Sequence, residues 1–403
     1  MSAALEPYAA SENQDYMHQS KRAQAHANNL CPSRLISRAI EDTGLSDFGE
    51  SDFEENLEVL CAALRSEARL NDLGLYCAAR DLRKILALRL RLVQWMKCES
   101  TSITNQPATV IAGLPRTGTS ILFELLDQDE ALTSPKVWQM ERAFETTTDE
   151  DIDRLDKLIK GTYTIAPDLK TQHKLGARVG EDCCRFHLLC IASYRFIWMY
   201  NVPSYAEYIL PMPLSKAYDW QRRMLNYLSL KKPCSSEWLL KSNGHLTFFE
   251  GLQSAFPSAR VIHTYRSPST IIASTASMVC AMRSIYSDHV SHLEVFEQQL
   301  EFYAQSVDKF LDCLESSPEI ARRLYNFSFK RYAENPVEEI INAYHFFGQS
   351  LTAESERRMR DYLNNNPRNK YGSHDYCISD FNSSNRQVNQ RFERYIERFD
   401  IEV

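Results

Sequence analysis

The chain has 403 residues, of which 44% are hydrophobic and 25% are charged. This is the composition of a globular protein with a large core, and it excludes a chain that is disordered, collagenous or coiled-coil throughout. The 46 basic and 53 acidic residues give a net charge of −7, which argues against a nucleic-acid-binding protein but leaves room for a local anion site.

The cysteines and the N-terminal segment indicate the compartment. The 11 cysteines are an odd number and include no C-x-x-C pair, so we expect free thiols in a reducing environment rather than a disulfide framework. The first residues carry acidic side chains and lack the apolar region of a signal peptide. No apolar run reaches the length of about 18 residues that a membrane-spanning helix needs. We therefore expect a cytoplasmic protein without a transmembrane segment.

The first hundred residues predict an arm followed by helices. Residues 1–30 are polar and have no clear period, which predicts an N-terminal arm. Residues 31–106 predict a helical prologue, because apolar side chains recur at helical spacing, as at Leu82, Ile85, Leu86 and Leu90.

Strands then alternate with helices. The run ATVIAG after Pro107 predicts a buried strand, and SILFELLDQ predicts the helix that follows it. The same alternation recurs at EWLLKS, RVIHTYR and RLYNFSF, each of which precedes a helical segment. This order predicts an α/β fold with a parallel sheet covered on both faces. Residues 150–235, between the first two units, are mostly helical and rich in Tyr and Trp, which predicts an inserted helical cap.

The loop after the first predicted strand has the frame of a phosphate-binding loop. It reads GLPRTGTS from Gly113 to Ser120, against G-x-x-x-x-G-K-[ST]. Two glycines let backbone N–H groups converge, and the following helix N-terminus carries partial positive charge, so an anion is stabilised there. The lysine position holds Thr119, and Arg116 lies inside the loop instead, which disfavours an ordinary ATPase or kinase. The alternative is a glycine turn without a ligand.

The segment LPRTGTS resembles the 5′-phosphosulfate loop of sulfotransferases that use 3′-phosphoadenosine 5′-phosphosulfate (PAPS), usually P-[KR]-[ST]-G-[ST]-[ST]. The resemblance implies a P-loop-like parallel sheet flanked by helices, and transfer of a sulfonate group from PAPS to a hydroxyl without a metal. It implies that Arg116 holds the 5′-phosphate and the sulfonate and takes part in catalysis. The other residues that would cradle these groups are Thr117, Gly118, Thr119 and Ser120.

Two further motifs support the resemblance. Arg266 follows a predicted strand, and Ser274 lies eight residues later on the next helix, the spacing at which sulfotransferases bind the 3′-phosphate. The segment LKSNGHL resembles the family's L-K-S-P-x-H-L, with Asn243 in place of proline. The resemblance makes Lys241 the catalytic residue that neutralises the bridging oxygen. By a looser analogy, Lys370 and Gly372 close over the 3′-phosphate.

The resemblance covers most of the chain and implies one sulfotransferase domain over residues 31–403. Within it, residues 107–149 form the phosphosulfate-loop unit. Residues 236–403 form the 3′-phosphate-binding half and the C-terminal tail.

The general base has several candidates. His245 follows Lys241 on the same loop, but it could equally be a histidine that bonds to the backbone. Many relatives carry W-E after the loop helix, whereas this chain has Trp138 followed by Gln139, which cannot act as a base. Glu141 lies two residues further on and is a catalytic candidate. The cap adds His173, Glu181 and Asp182.

One cluster in the cap could form either a metal site or part of the helix packing. Four residues of metal-ligating types fall within eight positions: Cys183, Cys184, His187 and Cys190. One helix face rarely supplies a complete zinc site, and buried cysteine commonly packs as a small hydrophobe. We therefore predict no metal here.

Two rival functions remain open. A P-loop kinase would need a phosphate-reaching lysine, and a non-catalytic nucleotide-binding relative is favoured by Gln139 alone. For the sulfotransferase, a hydroxylated small molecule or lipid is the expected acceptor, and the aromatic residues of the cap could line its pocket or form the core.

Overall fold

The computed structural model describes residues 28–99, 107–231, 236–367 and 378–403. The predicted cofactor residues Lys370 and Gly372 lie outside these ranges, as does most of the predicted N-terminal arm. Within them, no helix is both long and apolar enough to cross a membrane.

A five-stranded parallel sheet with the order β2-β3-β1-β4-β5 forms the centre of the protein. The strands are β1 (Ala108–Gly113), β2 (Leu132–Thr133), β3 (Glu237–Ser242), β4 (Arg260–Tyr265) and β5 (Leu324–Ser328). The predicted α/β class is confirmed, and the four predicted strands occur with bounds that differ by at most one residue. The two-residue β2 was not predicted, because so short a strand has no alternation to read.

Helices cover both faces of the sheet. In chain order they are α1 (Pro32–Thr43), α2 (Glu54–Ser66), α3 (Asp72–Cys98), α4 (Thr119–Leu126), α5 (Val137–Glu141), α6 (Asp149–Lys160), α7 (Thr162–Ile165), α8 (Leu169–Gln172), α9 (Cys184–His187), α10 (Arg195–Met199), α11 (Pro203–Ile209), α12 (Ser215–Lys231), α13 (Gly244–Thr247), α14 (Phe249–Ala255), α15 (Pro268–Arg283), α16 (His292–Ser316), α17 (Pro318–Arg322), α18 (Phe329–Glu334), α19 (Pro336–Phe346), α20 (Ala353–Asn365), α21 (Asn385–Arg391) and α22 (Glu393–Phe399). Two 3₁₀ turns, Leu188–Cys190 and Ile378–Phe381, complete the described elements.

The register of the sheet determines where loops can meet. Strand β1 is central and pairs with both β3 and β4, with Ile111 opposite Lys241 and Gly113 opposite Thr264. The carboxyl ends of these parallel strands therefore lie at one edge, which is where ligands bind in open α/β sheets. The loops after β1, β3 and β4 carry the three sequence motifs.

One predicted helix is interrupted. The segment HLTFFEGLQSAF forms α13 and α14, with the backbone leaving helical geometry at Phe248 (φ −114°, ψ 40°). Residues 244–249 are all buried. The first part of the segment therefore has no solvent-exposed face, whereas Glu250 and Ser254 of α14 are exposed, so one amphipathic pattern does not extend over both helices.

A buried arginine joins the helical prologue to the cap. Arg89 on α3 is fully buried and donates to the carbonyl oxygens of Phe48 (2.9 Å), Leu189 (2.8 Å) and Glu50 (2.5 Å). It also forms an ion pair with Asp52. The guanidinium is thus bound by groups from two separate parts of the chain, residues 48–52 and Leu189.

Three buried histidines predict that the protein loses stability in mild acid. Burial lowers the pKa of His187 to about 4, of His245 to about 3 and of His263 to about 4. In the unfolded chain each would titrate near pH 6.5, so between about pH 6.5 and 4 the unfolded state binds more protons than the folded state. Stability is therefore complete above pH 6.5 and falls as the pH drops, by about 1.4 kcal/mol per pH unit for each histidine.

Urea denaturation at pH 7, 6 and 5 measures this effect. His263 lies between Asn326 Oδ1 (3.1 Å) and Tyr395 OH (2.8 Å), and it is one of the three histidines, so His263→Gln should remove about a third of the slope. An unfolding free energy that stays constant from pH 7 to 5 would contradict the prediction.

Candidate functional site

The loop between β1 and α4 contains two glycines at positions where neighbouring atoms leave no room for a side chain. A Cβ atom on Gly113 would lie 2.1 Å from Thr264 Oγ1, and one on Gly118 would lie 2.8 Å from the Phe329 ring. Gly118 also has φ +90°, a conformation that favours glycine. The loop therefore packs tightly against the end of β4 and the residue that follows β5.

Arg116 connects three parts of the site. Its φ is +65°, an uncommon value for a residue with a side chain, of the kind that clusters at functional sites. Its Nε donates to Ser274 Oγ on α15 at 3.0 Å, and its Nη1 donates to the carbonyl oxygen of Gln172 on α8 at 2.9 Å. The structure thus brings Arg116 and Ser274, which were singled out on separate motifs, into direct contact.

The three hydroxyl residues of the loop lie in different environments. Thr117 is fully buried, and its Oγ1 donates to the Leu114 carbonyl oxygen (2.7 Å) and lies 2.6 Å from Thr264 Oγ1. Thr119 is buried, whereas Ser120 is exposed. The Thr117 hydroxyl therefore fastens the loop to the sheet, and the first N–H groups of α4 have no partner within the helix and can bind an anion.

Arg266 lies at the end of β4, next to the same loop. Its guanidinium stacks on the Phe329 ring, with 4.5 Å between Cζ and the ring centroid. The same ring closes over Gly118. Phe329 therefore joins the predicted 3′-phosphate arginine to the glycine loop, a role that the sequence analysis missed. Its position at the end of the fourth predicted strand was the available signal.

Lys241 is buried at the carboxyl end of β3, with 4% exposure. Its Nζ lies 3.8 Å from Glu181 Oε1 and 5.9 Å from the centroid of the Phe123 ring on α4. Burial lowers the pKa of Lys241, but the charges of Asp182 and Glu181 outweigh it and leave the pKa raised. The residue is therefore a permanently charged ammonium group beside the helix that follows the loop.

Glu181 is buried between two basic side chains. Its Oε2 lies 3.1 Å from His173 Nε2, while Oε1 accepts from the Asp182 N–H at 2.8 Å and faces Lys241. Burial raises the pKa of this carboxyl, but the charges of His173 and Lys241 and the His173 hydrogen bond hold the pKa well below its usual range. Glu181 is therefore an ionised carboxylate that orients His173.

His173 follows α8 directly and is about one-third exposed. Its Nε2 is engaged by Glu181, and in the described part of the chain its Nδ1 has no hydrogen-bond partner. With the proton on Nε2, the Nδ1 lone pair is available to take a proton from a ligand.

Asp182 supports the loop that follows β3. Its carboxylate accepts from Tyr194 OH, from the Cys184 N–H (2.9 Å) and from the Asn243 N–H (3.4 Å). Burial raises the pKa of Asp182, but the Lys241 charge and the Tyr194 hydrogen bond outweigh it and leave the pKa lowered. Asp182 is therefore already occupied by donors and holds the loop after β3 in place.

His245 occupies a closed environment. It is fully buried, with Nδ1 2.8 Å from Tyr218 OH and Nε2 3.0 Å from Cys183 Sγ. Both ring nitrogens are thus engaged within the protein, and the geometry favours a structural role over proton transfer. Cys183 also donates its N–H to the Lys241 carbonyl oxygen at 2.9 Å, so this histidine supports the strand end that carries Lys241.

Glu141 and Gln139 lie apart from Lys241. Glu141 Oε1 is bound to Arg185 Nη1 at 2.5 Å, and Gln139 Oε1 accepts from the Lys136 N–H at 2.8 Å at the start of α5. No hydrogen bond or ion pair between described residues links either side chain to Lys241. The geometry therefore does not favour Glu141 as the base.

The cap cysteines do not share one helix face. Helix α9 ends at His187, and the chain continues as a 3₁₀ turn. Cys183 contacts His245, Cys190 lies 3.0 Å from Asp52 Oδ2, and His187 Nε2 lies 2.8 Å from Gln221 Oε1. The described residues contain no group of three or more side chains arranged to hold a metal ion.

Comparisons with known proteins agree with this geometry. A model of the sulfotransferase family matches residues 107–353, more than half of the chain. The structure is similar to sulfotransferase STF1 from Mycobacterium tuberculosis H37Rv, with TM-score 0.77, 24% identity and coverage of 89% of this chain and 97% of that one. It is also similar to sulfotransferase STF9 from Mycobacterium avium, with TM-score 0.77, 21% identity and coverage of 92% and 97%. No curated protein matches the sequence.

Proposed function

Because the chain belongs to the sulfotransferase family, we propose that it transfers a sulfonate group from PAPS to a hydroxyl of a small-molecule or lipid acceptor. The observation that carries the proposal is the hydrogen bond between Arg116 Nε and Ser274 Oγ at 3.0 Å. It joins the glycine loop to the α15 residue proposed for the 3′-phosphate, so one nucleotide could contact both. We further propose that the protein acts in the cytoplasm.

The residues present fit an anionic nucleotide. The glycine loop leads into the N-terminus of α4, whose first N–H groups have no partner within the helix and can bind an anion. Arg116 and Arg266 can form the bidentate contacts that phosphate oxygens favour. Ser274, Thr119 and Ser120 add hydroxyl donors, and Lys370 and Gly372 remain proposed contacts outside the described residues.

Catalysis would consist mainly of positioning and charge stabilisation. When bound, PAPS supplies the sulfonate, which gains a bond to the acceptor oxygen as its bond to the 5′-phosphate oxygen breaks. Arg116 and the α4 N-terminus hold the phosphate oxygens, and Lys241 places a buried positive charge where negative charge develops. No residue in this scheme requires a metal.

His173 is the general base that the geometry supports best. Glu181 holds Nε2–H at 3.1 Å, so the free Nδ1 can take the acceptor's hydroxyl proton, and the carboxylate stabilises the imidazolium that forms. Gln172, the preceding residue, bonds to Arg116 and thereby keeps this histidine close to the loop.

His173→Gln should lower kcat by about 10²–10⁴-fold, the usual contribution of a general base. Binding of the product nucleotide should not change, since His173 does not bind phosphate in this scheme. Initial rates with radiolabelled PAPS measure the effect. His345→Gln, an exposed residue at the end of α19, is the matched control, and unchanged kcat in His173→Gln would assign the base elsewhere.

Calorimetry with 3′-phosphoadenosine 5′-phosphate tests the proposed function directly. We expect this nucleotide to bind more tightly than AMP or ATP. Arg266→Ala should abolish the preference by weakening the 3′-phosphorylated nucleotide about tenfold to a hundredfold, the equivalent of losing one or two charged hydrogen bonds. AMP should be affected little.

A preference for ATP in the same titrations would contradict the proposal and favour a kinase. Tight binding of the 3′-phosphorylated nucleotide without any sulfonate transfer would favour the non-catalytic alternative.

A further inference from the structure

Two amide side chains beside the proposed transfer residues are buried without hydrogen-bond partners. Gln172 is 8% exposed, and neither its Nε2 nor its Oε1 has a partner among the described residues. Asn243 is 7% exposed, and its Oδ1 is likewise unpaired there. Most buried polar atoms in proteins are hydrogen-bonded, so three unpaired atoms in one region need an explanation.

Both amides are attached to the site by their backbones. The Gln172 carbonyl oxygen accepts from Arg116 at 2.9 Å, and the next residue is His173. Asn243 lies two residues after Lys241, and its N–H donates to Asp182 Oδ2 at 3.4 Å. One amide therefore lies next to the proposed base and the other next to the catalytic lysine.

Neither side chain is needed for local structure. Asn243 precedes α13 as its N-cap residue, yet its side chain makes no capping bond, and Ser242 Oγ accepts from the Gly244 N–H instead. Its φ of −65° and ψ of −29° suit any residue. Gln172 ends α8, and its side chain makes no capping contact either.

We propose that Gln172 and Asn243 bind the sulfonate acceptor, and that this acceptor carries a second hydroxyl next to the one that attacks. This inference rests on the proposed function. The unpaired atoms include both an amide donor and two amide acceptors, and a hydroxyl can serve either.

Other acceptor classes fit these atoms less well. The oxygens of a carboxylate only accept hydrogen bonds, as do Gln172 Oε1 and Asn243 Oδ1, so they could not pair with these two atoms. A simple alcohol would commit its one hydroxyl to His173 and the sulfonate, and would leave the amides unpaired. A vicinal diol supplies the additional donor and acceptor without a charge.

The chain offers a matched control for unpaired amides in general. Gln299 on α16 is fully buried, and its Nε2 and Oε1 also lack partners in the described ranges. Among the described residues, no hydrogen bond links Gln299 to Arg116, His173 or Lys241. Its replacement should affect stability alone.

The test compares initial rates of sulfonate transfer to catechol, phenol and 2-methoxyphenol, and to trans-1,2-cyclohexanediol and cyclohexanol. We expect kcat/KM for each diol to exceed that of its monohydroxyl partner by at least about tenfold, because a site built to bond a hydroxyl rejects the analogue that lacks it. 2-Methoxyphenol keeps the second oxygen but loses its proton, so it should behave like phenol.

Gln172→Met and Asn243→Leu should each remove the diol preference, mainly through a higher KM, while Tm stays constant or rises. A merely structural role would lower Tm instead. Gln299→Met should keep the diol preference. Asn56→Leu removes a buried amide whose hydrogen bonds are all made, so it should lower Tm but also keep the diol preference.

Equal use of diols and monohydroxyl compounds, or use of neither, would overturn this inference, as would a lower Tm in both amide variants. Binding of 3′-phosphoadenosine 5′-phosphate, measured on the same samples, distinguishes failure of the acceptor inference from failure of the proposed function. If the nucleotide binds and diols are not preferred, only the acceptor inference fails. If the wild-type protein does not bind the nucleotide, the proposed function fails.

Discussion

Lys241→Met is expected to lower kcat for sulfonate transfer by about 10²–10³-fold, the typical effect of removing one preorganised charge-stabilising group. Lys241 is the buried cation at the end of β3, and Glu181 and Asp182 hold its pKa above the usual value. It is therefore charged at every pH of the assay. Methionine has a similar length and removes the charge with little change in packing.

The same substitution leaves two buried carboxylates without their lysine, so stability must be followed in parallel. Transfer rates are compared per folded molecule, with the folded fraction taken from thermal melts. Lys160→Met, which removes an exposed ion pair with Asp156, controls for loss of a lysine. A Lys241→Met enzyme that keeps more than about a tenth of the wild-type kcat would exclude Lys241 from charge stabilisation.

Arg89→Met is expected to destabilise the protein by about 3–5 kcal/mol, the usual result of removing one partner of a buried ion pair. The substitution leaves Asp52 without its cation and three carbonyl oxygens without their donor. It also removes a guanidinium that stacks between the rings of Phe53 (4.6 Å) and Trp220 (4.0 Å).

Urea denaturation measures the loss of unfolding free energy. The double variant Arg89→Met with Asp52→Asn gives the coupling free energy between the two side chains. We expect the second substitution to recover part of the stability, because it removes the unpaired charge. Arg178→Met, which breaks two exposed ion pairs with Asp149 and Asp153, should change stability by less than about 1 kcal/mol. An Arg89→Met protein as stable as that control would show that the prologue and the cap hold together without this contact.

The sheet and the glycine loop could be predicted because their signals are local. Buried parallel strands are short apolar runs, and ATVIAG and EWLLKS match β1 and β3 residue for residue. Arg116, Lys241 and Arg266 lie at the carboxyl ends of parallel strands, and such ends share one edge of the sheet. The contact between Arg116 and Ser274 agrees with that reasoning.

The proton-transfer group could not be chosen from the sequence. His245 was attractive because it follows Lys241 closely, but consecutive residues of a buried segment point in different directions, and the structure engages both its ring nitrogens. His173 and Glu181 were named only as further candidates. Their connection to Lys241 spans about sixty residues and depends on how the cap packs against β3.

The sequence by itself determined the fold class, the glycine loop between strand and helix, and the basic residues at the edge of the sheet, because each depends on a run of neighbouring residues. Only the tertiary structure decided which carboxylate faces Lys241, which histidine keeps a free nitrogen and which amides stay unpaired. The reason is physical: the partner of a buried polar group is set by the packing of distant segments, and no local pattern records it.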